Sequence, residues 1–233
     1  MRCAVCGKQV RGDYYRSSRG DVWCARHHGL PECQWCGVPT RARGFGGPNC
    51  DSCTRAAIRN TDGALTSIRR VGSAMARRGF RIRPHVRVVI DDRRDLQREG
   101  LFSSSPHQLG VTRYSSRTHS QPTELTIALL EGMPILVFEA CFAHEYGHAL
   151  MAATPASHAP DWLGEGFSEC VAFAYLTEDE KSREARMQAQ AIRANPDPTY
   201  GGGFRKVHPA VQRHGLRAVA DALVAGRMQT VGL

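Results

Sequence analysis

"FEACFAHEYGHALMA", from Phe138 to Ala152, is an apolar stretch that carries two histidines and a glutamate close together. Its apolar character predicts a buried helix, and Pro134 stands where such a helix would start. His144 and His148 are four residues apart, so both project from one helix face and can bind the same metal ion. Glu145 can then reach a water molecule at that metal. The simpler alternative is a few surface residues on an amphipathic helix.

A third ligand is expected from the next helix, because a catalytic zinc site uses three protein ligands and leaves one position open. The stretch "DWLGEGFSECVAFAYL" is typical of an amphipathic helix, and its Glu165 stands seventeen residues after His148. Glu165 is therefore the predicted third ligand. Glu169, one turn later, is predicted to accept the free N–H of a zinc-bound histidine. For both glutamates, a solvent-facing helix edge is the alternative.

Four pairs of potential metal ligands lie in the N-terminal segment: Cys3 and Cys6, Cys24 and His27, Cys33 and Cys36, and Cys50 and Cys53. Eight ligands supply two tetrahedral zinc sites, and pairing them in chain order gives one site of three Cys and one His and one of four Cys. The segment has few large apolar side chains, so we expect these metals to supply folding energy. Such closed sites are structural, and the module is predicted to bind a protein partner or to support the neighbouring domain.

Composition narrows the class of protein. The 233 residues allow one sizeable core with a small appendage, and nine cysteines accompany a net charge of +9. No apolar run reaches the roughly 18 residues that span a bilayer, and the N-terminus lacks the apolar stretch of a signal peptide. We therefore expect a cytoplasmic protein without membrane association, in which cysteines bind metal instead of forming disulfides. The excess arginines lie mainly in "IRRVGSAMARRGFRIRPHVRV" and "DDRRDLQR", where little aromatic interleaving favours solvated faces over a nucleic-acid site, and the basic residues of the N-terminal segment are scattered.

The predicted fold is α+β, in three parts. Residues 1–56 form the double-zinc module, residues 57–83 a connecting helix with a break near Asp62 and Gly63, and residues 84–233 the domain that contains the opening motif. Three strands are predicted, within "HVRVVID", "LGVTRYS" and "TELTIALLEG", and residues 99–121 are expected to form a long loop around the second.

The second predicted strand is a candidate for substrate binding. If it lies at a sheet edge, Val111 and Thr112 can pair with an extended substrate through main-chain hydrogen bonds. An interior strand or a loop is the alternative. The donor that would stabilise an oxyanion is left open by the motif, and its candidates are Tyr200, His208, Tyr114 and Tyr175.

At the level of families, the sequence resembles the plant LIM-domain zinc peptidases of the DA-one family, which are activated by ubiquitin and limit organ growth. The likeness covers nearly the whole chain: "CAVC", "CARH", "CQWC" and "CDSC" in this order, then "TELTIALLEGMPILVFEACFAHEYGHALM", "EGFSECVAFAYL" and "YGGGFRKVHPAVQRHGL". It implies a zincin-like domain of the gluzincin type after a LIM-like double-zinc module. It further implies His144, His148 and Glu165 as catalytic zinc ligands, Glu145 as the base, and Tyr200 as the preferred oxyanion donor.

The sequence also departs from that family. Its first residues already resemble the second, LIM-like pair of zinc sites of the longer plant proteins. It shows neither their preceding LIM domain nor their ubiquitin-interacting motifs, so activation by ubiquitin is not implied. Glu169 stands where the plant proteins usually have Gln, and the Ala-, Arg- and Gly-rich composition indicates a bacterial relative.

These observations predict a zinc endopeptidase that binds three zinc ions and cleaves protein or peptide substrates. One alternative is a zinc-finger adaptor with an inactive peptidase domain, although the intact set of His144, Glu145, His148 and Glu165 argues against it. The other is a basic zinc-finger protein that binds nucleic acid.

Overall fold

The fold is α+β, with three small sheets and a predominance of helix. The computed structural model describes residues 1–17, 20–44, 47–82, 86–115, 124–152 and 160–233. The N-terminal segment contains two short antiparallel hairpins and one short helix: β1 (Tyr14–Arg16) with β2 (Val22–Cys24), β3 (Arg43–Gly44) with β4 (Gly47–Pro48), and α1 (Asp51–Arg55).

The two halves of the N-terminal segment repeat one local structure. In the first, the amide of Gly7 donates to the carbonyl of Cys3 at 2.9 Å, and in the second the amide of Gly37 donates to Cys33 at 2.8 Å. In each half this turn is followed by a hairpin, and the hairpin brings the second pair of potential metal ligands back beside the first pair. Because few large apolar side chains are present, the buried cysteines themselves form the centre of the second half.

The connecting helix, α2, runs from Thr61 to Arg77. The predicted break near Asp62 and Gly63 is wrong, since both residues lie in the first turn of a continuous helix. The helix starts there because Asn60 caps it: its side-chain oxygen accepts a hydrogen bond from the amide of Gly63 at 2.8 Å. The interruption lies earlier, where Ala57 forms a β-bridge with Pro134.

The central sheet has the strand order β5-β7-β6, with β5 (Val86–Asp91), β6 (Gly110–Ser115) and β7 (Glu124–Leu130). All three predicted strands are therefore present; His85, Thr123 and residues 116–121 of the predicted loop lie outside the described residues. β5 runs parallel to β7 and β6 antiparallel to it, so β6 is an edge strand. A short helix that the sequence analysis missed, α3 (Arg93–Arg98), follows β5.

Helices make up the rest of the chain. α4 (Ile135–Ala152) begins directly after Pro134, as predicted, and is buried on most sides. α5 (Asp161–Ala174) is also as predicted and continues into one turn of π-helix (Tyr175–Glu180). α6 (Arg183–Ala194), α7 (Tyr200–His214) and α8 (Leu216–Val224) follow. Within the described ranges, no helix combines the length and apolar character needed to cross a membrane.

The chain between the N-terminal segment and α2 holds the start of α4 in place. The amide of Ile58 donates to the carbonyl of Met133 at 2.9 Å, and the amide of Ile135 donates to Ala56 at 2.9 Å. These bonds join the residues that directly follow Cys53 to the residues that lead into α4.

Candidate metal centre and its cleft

Three polar atoms from α4 and α5 meet in a small triangle. His144 Nε2 lies 3.1 Å from Glu165 Oε2, His148 Nε2 lies 3.2 Å from the same oxygen, and the two nitrogens are 3.1 Å apart. We call these three residues the His–Glu triad. The structure thus brings together the three predicted ligands.

The triangle fits a bound cation better than a set of hydrogen bonds. A neutral imidazole nitrogen either donates or accepts, and the edge between the two histidines requires one acceptor. That acceptor cannot also donate to Glu165, so hydrogen bonds satisfy at most two of the three edges. A tetrahedral metal with ligands at about 2.1 Å would place them about 3.4 Å apart, close to the observed separations.

A glycine inside the motif allows α4 and α5 to approach closely enough to form the triad. A Cβ atom built on Gly147 would lie 2.7 Å from the Cα atom of Ser168 in α5. Gly166 and Gly203 permit a similar backbone contact between α5 and α7. Gly147 therefore allows the close packing that places Glu165 opposite His144 and His148.

Glu169 lies on the far side of His144, with its Oε1 atom 3.5 Å from Nδ1, at the outer limit of a hydrogen bond. Burial alone would lower the pKa of His144, but the carboxylates of Glu165 and Glu169 outweigh it and raise the pKa to about 10. Burial would raise the pKa of Glu165, but its bonds to His144 and His148 lower it to about 2. The site therefore favours a positive charge between these side chains, which a metal cation can supply.

Glu145 is buried beside the triad and is held by Thr112 of the edge strand. The Thr112 hydroxyl lies 2.8 Å from Glu145 Oε2 and 2.9 Å from the backbone carbonyl of Glu145, so it can donate to either. Thr112 was predicted to bind substrate through its main chain, and this role of its side chain was not predicted. No sequence signal identifies it, because the contact depends on how β6 packs against α4.

Tyr200 is the oxyanion candidate nearest the triad. Its ring stacks on His144 with centroids 6.1 Å apart. Burial and, to a smaller extent, the nearby carboxylates raise the pKa of Tyr200 to about 12, so the phenol stays protonated. Tyr114 also lines the cleft described below. Tyr175 is buried elsewhere, where its hydroxyl donates to Glu139 at 2.7 Å, and His208 stacks on Phe204; neither lines the cleft.

The triad opens into a cleft of about 1200 Å³ bounded by β6 on one side. The prediction that this strand lies at an edge is confirmed by the strand order. Leu130 donates to the Leu109 carbonyl at 2.9 Å, and in antiparallel pairing this places the main-chain bonds of Val111 towards β7 and those of Thr112 outwards. Of the two residues predicted to contact substrate, only Thr112 thus directs its main-chain groups away from the sheet, and none of the described residues pairs with them.

The eight N-terminal ligands form the two predicted groups. We call Cys3, Cys6, Cys24 and His27 the first cysteine cluster, and Cys33, Cys36, Cys50 and Cys53 the second; within each, the ligand atoms lie within 4.8 Å of one another. All nine cysteines are free, and Cys36 and Cys50 Sγ are 3.5 Å apart, too far for a disulfide. A bond from His27 lowers the pKa of Cys6 to about 6, and one from Cys53 lowers that of Cys36 to about 5. Burial raises the pKa of Cys24 and Cys50, and the bond to Cys36 raises that of Cys53, so in the absence of a metal one thiolate is favoured in each cluster.

A buried carboxylate behind the site escaped the sequence analysis. Glu139 of α4 is fully buried and accepts hydrogen bonds from Ser67 at 2.8 Å, Arg70 at 3.1 Å and Tyr175 at 2.7 Å. These partners come from α2 and the π-helical turn. The only signal in the sequence is an acidic residue within an apolar helix, one turn before the motif.

A further acidic group, Asp91, Asp92 and Asp95, has local structural roles. Asp92 caps α3 by accepting from the Asp95 amide at 2.9 Å, and Asp95 pairs with Arg98 at 2.8 Å. These contacts explain why the three carboxylates lie close together, and no bound ion is needed for that.

Comparison with known protein families, curated proteins and solved structures finds no match to this chain.

Proposed function

We propose that the chain is a zinc-dependent endopeptidase and a relative of the DA-one peptidases, with a zincin-like domain of the gluzincin type that follows a LIM-like double-zinc module. The observation that carries the proposal is the His–Glu triad itself: three ligand atoms 3.1 to 3.2 Å apart, with Glu145 beside them, at the side of an open cleft. A buried structural site would not need a cleft of this size.

Each residue of the site has a distinct role in the proposed reaction. His144, His148 and Glu165 hold the zinc ion, and Glu169 orients the His144 ring through Nδ1. When bound, zinc lowers the pKa of a water molecule and polarises the substrate carbonyl. Glu145 accepts the proton of the attacking water and then passes it to the leaving amine. Tyr200, whose phenol stays protonated, donates to the developing oxyanion.

Zinc is the metal that these ligands favour. Two imidazoles and one carboxylate form a known type of catalytic zinc site, and clusters of thiolates bind zinc as closed structural sites. The proposal therefore assigns three zinc ions, one to the His–Glu triad and one to each cysteine cluster. The two structural ions would stabilise a segment that has little apolar core of its own.

The cleft favours an extended, non-acidic polypeptide as substrate. The outward main-chain groups of Thr112 can pair with a peptide backbone. Five carboxylates lie among the described residues of the lining, and no Lys or Arg does: Glu145, Asp161, Glu165, Glu169 and Asp197. Even with a divalent ion present, the lining keeps an excess of negative charge, which disfavours nucleic acid and acidic peptides.

The replacement Glu145→Gln tests the catalytic role. It should keep about three zinc ions per chain but lower the cleavage of unfolded casein by at least about a thousandfold, because the general base is lost while the ligands remain. Zinc content is measured by elemental analysis and turnover by gel and mass spectrometry. Turnover equal to that of the parent would exclude Glu145 as the base, and a parent protein that is loaded with zinc but cleaves nothing would favour the adaptor alternative.

A further inference from the structure

A second cavity of about 570 Å³ lies between the second cysteine cluster and the N-terminal half of α4. It adjoins the cleft, since Val137, Gln188 and Ala191 line both. We call it the side cavity. The two cavities together form one groove that leads from the His–Glu triad, between α4 and α6, to the N-terminal module.

The side cavity has an apolar floor and a charged rim, in which Arg70 lies 3.5 Å from Glu180. Trp35 of the N-terminal module and Ile135 of α4 both line it, and Ile135 keeps 45% of its surface exposed although it is a large apolar residue. The indole nitrogen of Trp35 is buried and has no hydrogen-bond partner among the described residues. Glu180 and Glu184 also line the cavity. An apolar side chain from a ligand would remove the exposed apolar surface of Ile135 from water, which favours binding.

We propose that the N-terminal module forms part of the substrate site: the substrate polypeptide continues from the triad along the groove and places an apolar side chain in the side cavity, against Trp35 and Ile135. This inference rests on the proposed peptidase function and adds a specificity determinant to it. The occupant is an extended segment of the substrate, because the side cavity adjoins the cleft in which the scissile bond would lie.

The geometry of α4 gives the position of that side chain. Ile135 stands nine residues before His144 in the same helix, which corresponds to about 14 Å. An extended chain covers this length with about four residues. The apolar residue should therefore lie about four positions from the scissile bond, on one side of it.

Cleavage profiling of a synthetic library of peptides of about 14 residues, long enough to extend through both cavities, tests the inference. For the full zinc-loaded protein, we expect at least a tenfold preference for Leu over Asp about four positions from the cut. Ile135→Glu should reduce this preference to about twofold or less, because it places a charge on the apolar floor. Val224→Glu, the same type of change at an exposed position outside the groove, should leave the preference unchanged.

A second pair of variants tests the path of the chain. Ala191 is exposed where the two cavities join, so Ala191→Trp should obstruct the groove and lower the same preference. Ala194→Trp lies on the same helix but lines neither cavity and should not. Cleavage without any preference at that position, or a preference in the Ile135→Glu and Ala191→Trp variants as strong as that of the parent, would overturn the inference alone. A zinc-loaded parent that cuts no peptide would instead overturn the peptidase function.

Discussion

At the scale of single residues, the contact with Thr112 holds the Glu145 carboxylate, which we propose as the general base. The hydroxyl of Thr112 lies 2.8 Å from a carboxylate oxygen that would otherwise be free to rotate. Thr112→Val keeps the shape and removes the donor, so kcat/KM for casein should fall by about ten- to a hundredfold. Thr112→Ser keeps the donor and should stay within a few-fold of the parent. If both variants lose activity equally, the hydroxyl is not what positions Glu145.

A second prediction at this scale concerns Gly147. Gly147→Ala would place a methyl group against the backbone of Ser168, push α5 away from α4, and move Glu165 out of the triad. Zinc affinity at this site should fall by about ten- to a hundredfold, measured by competition with a chelator. Gly164→Ala, next to Glu165, is the control, because its added Cβ would lie 3.6 Å from the end of the Met151 side chain, an ordinary contact. Equal zinc affinity in the Gly147→Ala variant would refute this account.

At the scale of helices and strands, Glu139 joins three elements through one carboxylate. It is fully buried, whereas the side chain of its partner Arg70 is half exposed. Glu139→Ala should lower the free energy of unfolding by about 3 kcal/mol, since it leaves the buried Ser67 hydroxyl without its acceptor and removes the shorter of the two hydrogen bonds that Tyr175 donates. Arg70→Ala should cost only about 1 kcal/mol, because solvent screens the exposed guanidinium. Urea unfolding measures both, and an equal cost would mean that the ion pair, not the buried hydrogen bonds, dominates.

The helices and strands also show which features can be predicted from the sequence and which cannot. Metal-ligand spacing and strand composition were sufficient to predict α4, α5, all three strands of the central sheet and the grouping of all eleven ligands, because these depend on local patterns. α7 could not be predicted in this way: "YGGGFRKVHP" contains three glycines and a proline, which disfavour helix. Tertiary packing imposes this helix, since the glycines allow it to contact α5. The roles of Thr112 and Glu139 depend on tertiary contacts as well.

At the scale of the whole molecule, the net charge and the charge of the cleft have opposite signs. The chain carries +9, yet the described lining of the cleft holds five carboxylates and no basic side chain. Asp161→Lys, at the exposed start of α5, should lower kcat/KM for a Lys-rich peptide by about three- to tenfold at low salt, and added salt should reduce the difference. Asp62→Lys, in the first turn of α2, makes the same change outside the cleft and should have no such effect. If kcat/KM decreases equally in both variants, the net charge of the molecule and not the charge of the cleft causes the effect.

The pairing of Ile58 with Met133 has a consequence for the order in which a nascent chain acquires its metals. All eight ligands of the two cysteine clusters have left the ribosome long before His144 is made. N-terminal domains fold first during synthesis. A loaded N-terminal module would therefore already present residues 56–58 as an anchor when Met133 emerges. In a cell short of zinc, the two cysteine clusters would then bind their proposed ions before the His–Glu triad does, and a newborn molecule would become structured before it gained the proposed peptidase activity.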